Sequence, residues 1–387
     1  MSALVPVIAE KFRKRFPGNP LVVVSPGRVN LIGEHTDYNE GFVLPGATDK
    51  AVVFAVAPRA DGLCHLVSHD FDQEFRCELA ELHRSPLRWP DYLLGVVDQL
   101  LKGGHRVGGF NAVFGGDIPI GAGMSSSAAI EGGLAFALNA LFGLGLDGLA
   151  LAKLAQKAEH EFVGVRCGIM DQFINIHGRE RSVLKLDCRS LAYEHVPFDR
   201  PDLRIVVADT LVRRELASSE YNVRRAQCEA GVSALRAHDP AVRSLRDVGL
   251  DLLREHRAGL DPVVFRRCEY VVRENTRVVD ACAALARGDF AVFGGLMNLS
   301  HAGLRDDYEV SSAELDALVE AARRVPGVLG SRMMGAGFGG CTISLVEAGA
   351  VPEFEARVSR DYEAATNTTP RIHVVTVERG AHAVEAP

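Results

Sequence analysis

The chain has 387 residues, of which 47% are hydrophobic and 24% charged, so it is long enough to fold around two hydrophobic cores. Its formal net charge of −7 supplies no positive field for nucleic acid or anionic lipid, which argues against both as partners. The eight cysteines are scattered without a Cys-x-x-Cys pair, which argues against structural zinc and a disulfide framework. The apolar stretch 132–146 is shorter than the roughly 20 residues that a bilayer requires, and the basic N-terminal segment is wrong for a signal peptide. We therefore expect a cytoplasmic protein that binds a small ligand.

Runs of β-branched and apolar residues separated by glycine predict strands in the first third of the chain, at 21–24, 42–44, 51–57 and 110–114. A long helix is predicted after Ser127, and a second helix over 149–162 because its apolar residues recur at three- and four-residue spacing. The chain then returns to a strand over 183–186.

A domain boundary is predicted near Pro197 and Pro201, which bracket a polar segment just before an apolar run. We place the first domain at 1–198 and the second at 199–387. The second domain is predicted to be richer in helix. Its predicted elements are an apolar run over 203–208, a helix over 262–287 that Gly288 ends, and strands over 342–346 and 371–377.

A loop rich in glycine and serine, 115–129, lies between a predicted strand and the long apolar helix. Gly121 and Gly123 allow the backbone to approach a ligand closely, and the free N–H groups at the start of the helix would point at that ligand. This arrangement suits a polyphosphate. A plain strand-to-helix turn with a serine N-cap explains the loop about equally well.

Two known phosphate-binding patterns can be compared with the sequence. The Walker A pattern fails because no Lys-Ser/Thr pair follows the glycines of the loop. Residues 335–340 satisfy G-x-G-x-x-G, but the β-like run 342–346 follows them where a dinucleotide site requires a helix. A dehydrogenase is therefore a weak alternative.

The segment 26–38 places Arg28, Glu34, His35 and Asp37 within ten residues. Carboxylates and an imidazole on a fixed loop can hold the adjacent hydroxyl groups of a sugar. A solvated loop of ion pairs is the alternative, and for this segment alone it is slightly favoured.

Asp171 lies among apolar residues in the segment 167–173, shortly after Glu159 and His160. A carboxylate in such surroundings has to be paired, hydrogen-bonded or shifted in pKa, which makes Asp171 a candidate general base. An aspartate that caps a helix is the commoner case. His160 fits a helix surface.

In this order and spacing, the segments together resemble the galactokinase family of GHMP small-molecule kinases. The matching segments are the galactokinase signature at 27–38, the GHMP ATP loop at 121–129, the C-terminal glycine motif at 332–342, and two further stretches at 219–225 and 301–311. The ATP loop and the glycine motif are shared by mevalonate and homoserine kinases, whereas residues 34–37 specify galactose. Met124 and Met334 stand where leucine and threonine are more frequent in the family, and neither removes a required functional group.

The resemblance implies in-line transfer of the γ-phosphoryl group of ATP to the C1 hydroxyl of galactose, giving galactose 1-phosphate for the Leloir pathway. It makes Asp171 the catalytic base and Arg28 its partner. The sugar contacts that it implies are Glu34, His35, Thr36, Asp37 and Tyr221. The residues that would cradle the triphosphate are Gly121, Ala122, Gly123, Met124, Ser125, Ser126 and Ser127. Ser127 and Glu159 would hold Mg²⁺, a small cation that needs few protein oxygens besides the phosphates.

The implied fold has two α/β domains with the site in the cleft between them. The N-terminal domain would hold a mixed sheet with the galactose and ATP loops, and the C-terminal domain would be ferredoxin-like. An N-acetylgalactosamine kinase and a catalytically inactive galactose sensor remain as alternatives. The intact ATP loop and Asp171 argue against the sensor. We expect a monomer without an obligate protein partner.

Overall fold

The computed structural model of the protein describes residues 3–119, 123–212 and 217–385. The helices are α1 (Leu4–Arg15), α2 (Trp89–Lys102), α3 (Ser126–Phe142), α4 (Gly148–Ala158), α5 (Met170–His177), α6 (Ala217–Arg236), α7 (Leu250–Glu255), α8 (Pro262–Ala286), α9 (Phe290–Ala302), α10 (Ala313–Arg323) and α11 (Val351–Thr366). The strands are β1 (Leu21–Asn30), β2 (Phe42–Val43), β3 (Pro45–Pro58), β4 (Leu63–Ser68), β5 (Gln73–Glu78), β6 (Phe110–Gly116), β7 (Ser182–Asp187), β8 (Tyr193–Pro197), β9 (Leu203–Asp209), β10 (Val328–Met334), β11 (Cys341–Glu347), β12 (Arg371–Val375) and β13 (His382–Val384).

The largest sheet of the described residues has six strands in the order β13-β1-β3-β6-β4-β5. It is mixed, because β4 runs parallel to β6 while the other neighbours are antiparallel. One face is covered by α3, which approaches closely at Gly133, where a Cβ atom would lie 2.5 Å from the ring of Phe54. The opposite face is covered by α1, whose buried residues pack against β1, β3 and β6. The strand β13 comes from the far end of the chain and pairs with β1.

A second sheet, in the order β10-β11-β9-β12, is antiparallel throughout. Its strands follow the chain order strand, helical segment, two strands, helix, strand, which is the ferredoxin-like pattern predicted for the second half. A core that includes Val206, Phe354 and Tyr362 joins this sheet to α10 and α11. The short strands β2, β7 and β8 form a third sheet.

The predicted strands are present as β1, β2, β3, β6, β7, β11 and β12, and the helices predicted after Ser127 and over 262–287 are present as α3 and α8. The apolar run over 203–208 forms β9. The helix predicted over 149–162 differs, because α4 ends at Ala158 and the chain continues as a π-helical turn, Glu159–Val163. Gly164 ends this turn with a φ of +95°, and its N–H donates to the Glu159 carbonyl over 2.8 Å. Such turns are frequent at functional sites. Among the helices in the described ranges, none has the length and apolar character needed to span a lipid bilayer.

Candidate active site

A cavity of about 890 Å³ brings residues of the first and second halves of the chain together. Its size falls in the range of small-molecule sites. Gly335 and Ala336, from the loop between β10 and β11, lie on one wall. The predicted residues that line it are Arg28, Glu34, His35, Asp37, Asp171 and Tyr221.

Arg28 and Asp171 form a bidentate ion pair on the wall of this cavity. Nε of Arg28 donates to Oδ1 of Asp171 over 2.7 Å, and Nη2 donates to Oδ2 over 2.8 Å. The Arg28 side chain is 8% exposed and the Asp171 side chain 23%, so part of the carboxylate still faces the cavity. Asp171 is the second residue of α5 and Ile169 is its N-cap, so the helix-capping alternative does not apply. The paired guanidinium fixes the plane of the carboxylate.

Arg28 reaches this position because β1 bulges just before it. The register between β1 and β3 shifts between Pro26 and Arg28. Gly27 is required at the bulge, since a Cβ atom there would lie 2.7 Å from the carbonyl oxygen of Met124. The N–H of Arg28 donates to the same carbonyl over 3.0 Å, and its Nη1 donates to the Gly123 carbonyl. One arginine therefore joins Asp171 to the predicted phosphate loop.

The predicted phosphate loop leads directly into the N-terminus of α3. Ser125 is the N-cap in the left-handed conformation, with a φ of +54°. Its hydroxyl does not cap the helix and donates to Oδ2 of Asp171. The first-turn amides of α3 therefore lack a side-chain cap, which suits an anionic ligand. Of the other loop residues in the prediction, Ser126 and Ser127 begin α3, and Gly121 and Ala122 lie outside the described residues.

Glu34 is fixed where the loop after β1 meets the loop after β10. Its Oε1 accepts hydrogen bonds from Nη2 of Arg332 over 3.1 Å and from the N–H of Gly335 over 2.9 Å. Arg332 is fully buried and also donates to the carbonyls of Asn30 and Leu31. Sequence reasoning assigned Arg332 no role. The signal was present, because an arginine within an apolar strand has to find acceptors.

The titration of Asp37 is shifted by its position in the cavity wall. Burial raises the pKa of Asp37 to about 6, and the charges of Asp171 and Glu34 act in the same direction, against a hydrogen bond from the Tyr38 backbone. The carboxylate lies against Gly168, where a Cβ atom would overlap Oδ2. Glycine is therefore required at 168, a role that sequence reasoning missed.

The pKa of His35 is shifted downwards, whereas that of Asp37 is shifted upwards. Burial lowers the pKa of His35 to about 3, and the nearby charges of Arg224 and Arg332 act in the same direction. The imidazole is therefore neutral near pH 7. The backbone of His35 has a φ of +61°, and the side-chain amide of Asn39 donates to the His35 carbonyl over 2.8 Å.

Thr36 and Tyr221 were both predicted as sugar contacts, but only the Tyr221 side chain lines the cavity. Thr36 is fully buried, and its hydroxyl lies 2.8 Å from the Gly33 carbonyl and 2.5 Å from the Phe42 carbonyl. The structure therefore does not bring this hydroxyl to the cavity. Tyr221 of α6 lines the cavity, and its ring packs against His35 with the centroids 5.6 Å apart.

Glu159 lies at the start of the π-helical turn in a buried group of carboxylates. Its Oε2 accepts from Nε2 of Gln172 over 2.7 Å and from the Cys167 thiol over 3.4 Å. Burial, and after it the charge of Asp171, raises the pKa of Glu159. Gln172 also donates to Glu131, whose Oε1 has no hydrogen-bond partner within the described residues. Glu131 and Gln172 carried no prediction, although a glutamate inside an apolar helix is itself a signal.

The residues predicted to hold Mg²⁺, Ser127 and Glu159, fit its preference for oxygen donors. Burial and the charge of Asp171 both raise the pKa of Glu159. A divalent cation bound beside these two carboxylates would offset their negative charge. Across the described ranges, no group of three or more His, Cys, Asp or Glu side chains is arranged to hold a metal. A metal bound here would therefore depend on few protein ligands together with the phosphates.

The G-x-G-x-x-G segment 335–340 connects the antiparallel strands β10 and β11. The strand β11 follows it directly, so it does not form a dinucleotide-binding turn, and the dehydrogenase alternative loses the motif on which it rested. The loop packs on Val310, whose carbonyl accepts from the N–H of Phe338 over 2.7 Å.

The chain matches a family model described as the galactokinase galactose-binding signature over residues 10–58. It also matches the GHMP kinases N terminal domain over 91–179 and the GHMP kinases C terminal domain over 281–364. It is 45% identical to the galactokinase of Roseiflexus sp. (strain RS-1) over 374 residues, which cover 96% of this chain and 95% of that relative. The chain belongs to the galactokinase family.

Two further relatives support this assignment to the galactokinase family. Human galactokinase is 45% identical over 360 residues, covering 91% of this chain and 90% of the human protein. The crystal structure of Lactococcus lactis galactokinase complexed with galactose superposes with a TM-score of 0.94 at 35% identity, covering 99% of this chain and 100% of that one. The predicted family and the predicted GHMP kinase fold are thereby confirmed.

Proposed function

We propose that this protein uses ATP to phosphorylate the C1 hydroxyl of galactose, producing galactose 1-phosphate and ADP. The observation that carries the proposal is the Arg28–Asp171 ion pair, which lies on a cavity wall beside the N-terminus of α3 in a chain of the galactokinase family. The division into domains 1–198 and 199–387, the monomeric state and the cytoplasmic location remain parts of this proposal.

In the proposed reaction, Asp171 accepts the proton of the C1 hydroxyl as that oxygen attacks the γ-phosphorus of ATP. Arg28 stabilises the negative charge that develops on the transferring group, because its guanidinium already lies against Asp171 and the loop before α3. Ser125 orients the carboxylate through its hydroxyl. Most of the catalytic effect would come from positioning and charge stabilisation.

Glu34, His35, Asp37 and Tyr221 are proposed to hold the sugar. All four line the cavity, and the two carboxylates can accept hydrogen bonds from adjacent hydroxyls. Thr36 is proposed to act indirectly, because its buried hydroxyl fixes the shape of the loop that carries the other residues.

The triphosphate is proposed to bind at Gly121–Ser127, against the N-terminal amides of α3. Ser127 and Glu159 would hold Mg²⁺, which when bound neutralises phosphate charge. Gln172 holds the carboxylate of Glu159 in place for this role.

The proposed function is tested by ADP release on a panel of sugars, with the phosphorylated position read by NMR. Galactose should be phosphorylated at C1. Glucose, whose C4 hydroxyl points the other way, should have a kcat/KM about 10- to 100-fold lower, because a buried carboxylate would lose its partner. Comparable values for the two sugars would remove the basis for galactose as the substrate, and a preference for N-acetylgalactosamine would establish the alternative kinase.

Replacing Glu159 with glutamine should raise the Mg²⁺ concentration needed for half-maximal activity by about tenfold or more, because an amide is a poorer Mg²⁺ ligand than a carboxylate. Galactose affinity, measured by calorimetry without nucleotide, should stay close to that of the parent. Glu161→Gln is the matched control, since Glu161 lies in the same π-helical turn and is exposed. A Mg²⁺ dependence of Glu159→Gln equal to that of Glu161→Gln would show that Glu159 is not a metal ligand.

A further inference from the structure

A continuous line of hydrogen bonds runs from the core of the second half of the chain to His35, in the loop that follows β1. Sγ of Cys228 lies 3.2 Å from the hydroxyl of Tyr308, which lies 2.7 Å from the hydroxyl of Tyr38. The Tyr38 hydroxyl lies 2.8 Å from Nδ1 of His35, and Nε2 of His35 lies 3.2 Å from the Ala336 carbonyl oxygen. We call these five groups the His35 relay.

The direction of every bond in the His35 relay follows from its last member. The Ala336 carbonyl can only accept, so Nε2 of His35 carries a proton. The imidazole is neutral because burial lowers the pKa of His35 to about 3, so Nδ1 has a lone pair and the Tyr38 hydroxyl donates to it. Tyr38 must then accept from Tyr308, and Tyr308 accepts from the Cys228 thiol.

Three members of the relay are buried and its rings are packed. Tyr308 is fully buried, Cys228 is 1% exposed and His35 is 4% exposed, so water is kept from the bond between Cys228 and Tyr308. Tyr38 is half-buried, and Ala336 is exposed on the cavity wall. Tyr221, seven residues before Cys228 on α6, packs on the ring of Tyr38 with the centroids 5.0 Å apart. The helix that supplies the first donor therefore also supplies a cavity-lining ring.

His35 also stands in a conformation that needs support. Its φ of +61° is in the left-handed region, where a residue with a side chain is rarely found unless its surroundings hold it. The Asn39 amide holds its backbone carbonyl, and the relay holds both ring nitrogens.

We infer that Tyr38, Tyr308 and Cys228 are positioning residues that lock His35 as the Nε2–H tautomer, with Nδ1 accepting from Tyr38 and Nε2–H donating to Ala336, so that its ring offers the sugar cavity no acceptor. This inference rests on the proposed function. Among the side chains of Glu34, His35 and Asp37, only the two carboxylates can therefore accept a hydrogen bond from a sugar hydroxyl. A hydroxyl that meets the His35 ring finds no acceptor there, which adds a polarity requirement to the shape of the cavity.

The tautomer can be read by NMR on the full-length protein labelled with [¹⁵N]histidine, with His35 assigned by its loss in a His35→Gln variant. In the parent without substrates, Nε2 of His35 should be protonated and Nδ1 unprotonated. Tyr38→Phe should shift the Nδ1 resonance, because it removes the donor, and Tyr308→Phe should shift it less. Cys228→Ser, which keeps a donor, should match the parent more closely than Cys228→Ala does.

Binding provides the second readout. Tyr38→Phe should raise the KM for galactose about three- to tenfold, the effect of one neutral hydrogen bond, and leave the KM for ATP unchanged. Tyr362→Phe is the control, since Tyr362 is another buried tyrosine whose hydroxyl bonds to a backbone carbonyl, that of Thr210. Parent protein with the proton on Nδ1, or a Tyr38→Phe variant with unchanged ring resonances, would overturn the inference. The NMR result needs no sugar, so it stands apart from the choice of galactose as substrate.

Discussion

Replacing Asp171 with asparagine should lower kcat by about 10²- to 10⁴-fold, because asparagine keeps the shape of the side chain and cannot take up the proton of the sugar hydroxyl. The KM for ATP should change little. Steady-state kinetics with galactose, scaled to the folded fraction by nucleotide binding, measures the effect.

The scaling matters because Asp171→Asn also removes the charged partner of Arg28, whose side chain is only 8% exposed. The variant should therefore melt at a lower temperature, whatever its chemical role. Ser125→Ala is the comparison variant: it removes the hydroxyl that orients Oδ2 and keeps the carboxylate, so it separates the loss of orientation from the loss of the base. A folded Asp171→Asn protein that turns over galactose within a few-fold of the parent would remove Asp171 as the base, and would leave catalysis to Arg28 and the proposed Mg²⁺.

Replacing Asp37 with asparagine should lower the kcat/KM for galactose and raise the free energy of unfolding of the free protein. The kcat/KM for galactose should fall about 10- to 10²-fold, because an amide replaces a charged acceptor for sugar hydroxyls. Burial raises the pKa of Asp37 from 3.8 to about 6, so the folded protein binds the Asp37 proton more tightly than the unfolded chain does. The contribution of Asp37 to stability is therefore fully present below about pH 4 and is lost as the pH rises through about 6.

At pH 7.5 the folded protein thus carries an ionised carboxylate that its surroundings disfavour. Asp37→Asn should raise the free energy of unfolding there by on the order of 1–3 kcal/mol, and should have little effect at pH 4. Denaturant unfolding without sugar, at both pH values, measures the difference. Asp199→Asn is the control, since Asp199 is exposed and pairs only with Arg181 among the described residues. A loss of stability at pH 7.5, or an equal gain at both pH values, would contradict this account.

Such a trade between stability and binding has a physical reason. Asp37 lies with Asp171 and Glu34 around one cavity, and the charges of those two carboxylates add to burial in raising the pKa of Asp37. A ligand that donates hydrogen bonds relieves this repulsion. The free protein therefore keeps a destabilised group at the position where a substrate would use it.

The sequence by itself determined the elements whose causes are local. Runs of β-branched and apolar residues predicted β1 and β3, and the apolar run after Ser127 predicted α3, because these patterns are properties of neighbouring residues. Asp171 was identifiable from its apolar neighbours, since a carboxylate in such a segment requires a partner. The identity of that partner was implied only by the family resemblance.

The tertiary structure alone decided which distant residues meet. Arg28 and Asp171 are 143 positions apart, and Glu34 and Arg332 are 298 apart. The pairing of β13 with β1 had no local signal either. The direction of the Thr36 hydroxyl, away from the cavity, depends on the backbone path around Gly33 and Phe42. The pKa values of His35 and Asp37 depend on burial and on the distances to neighbouring charges. Burial and these distances are defined only once the chain has packed.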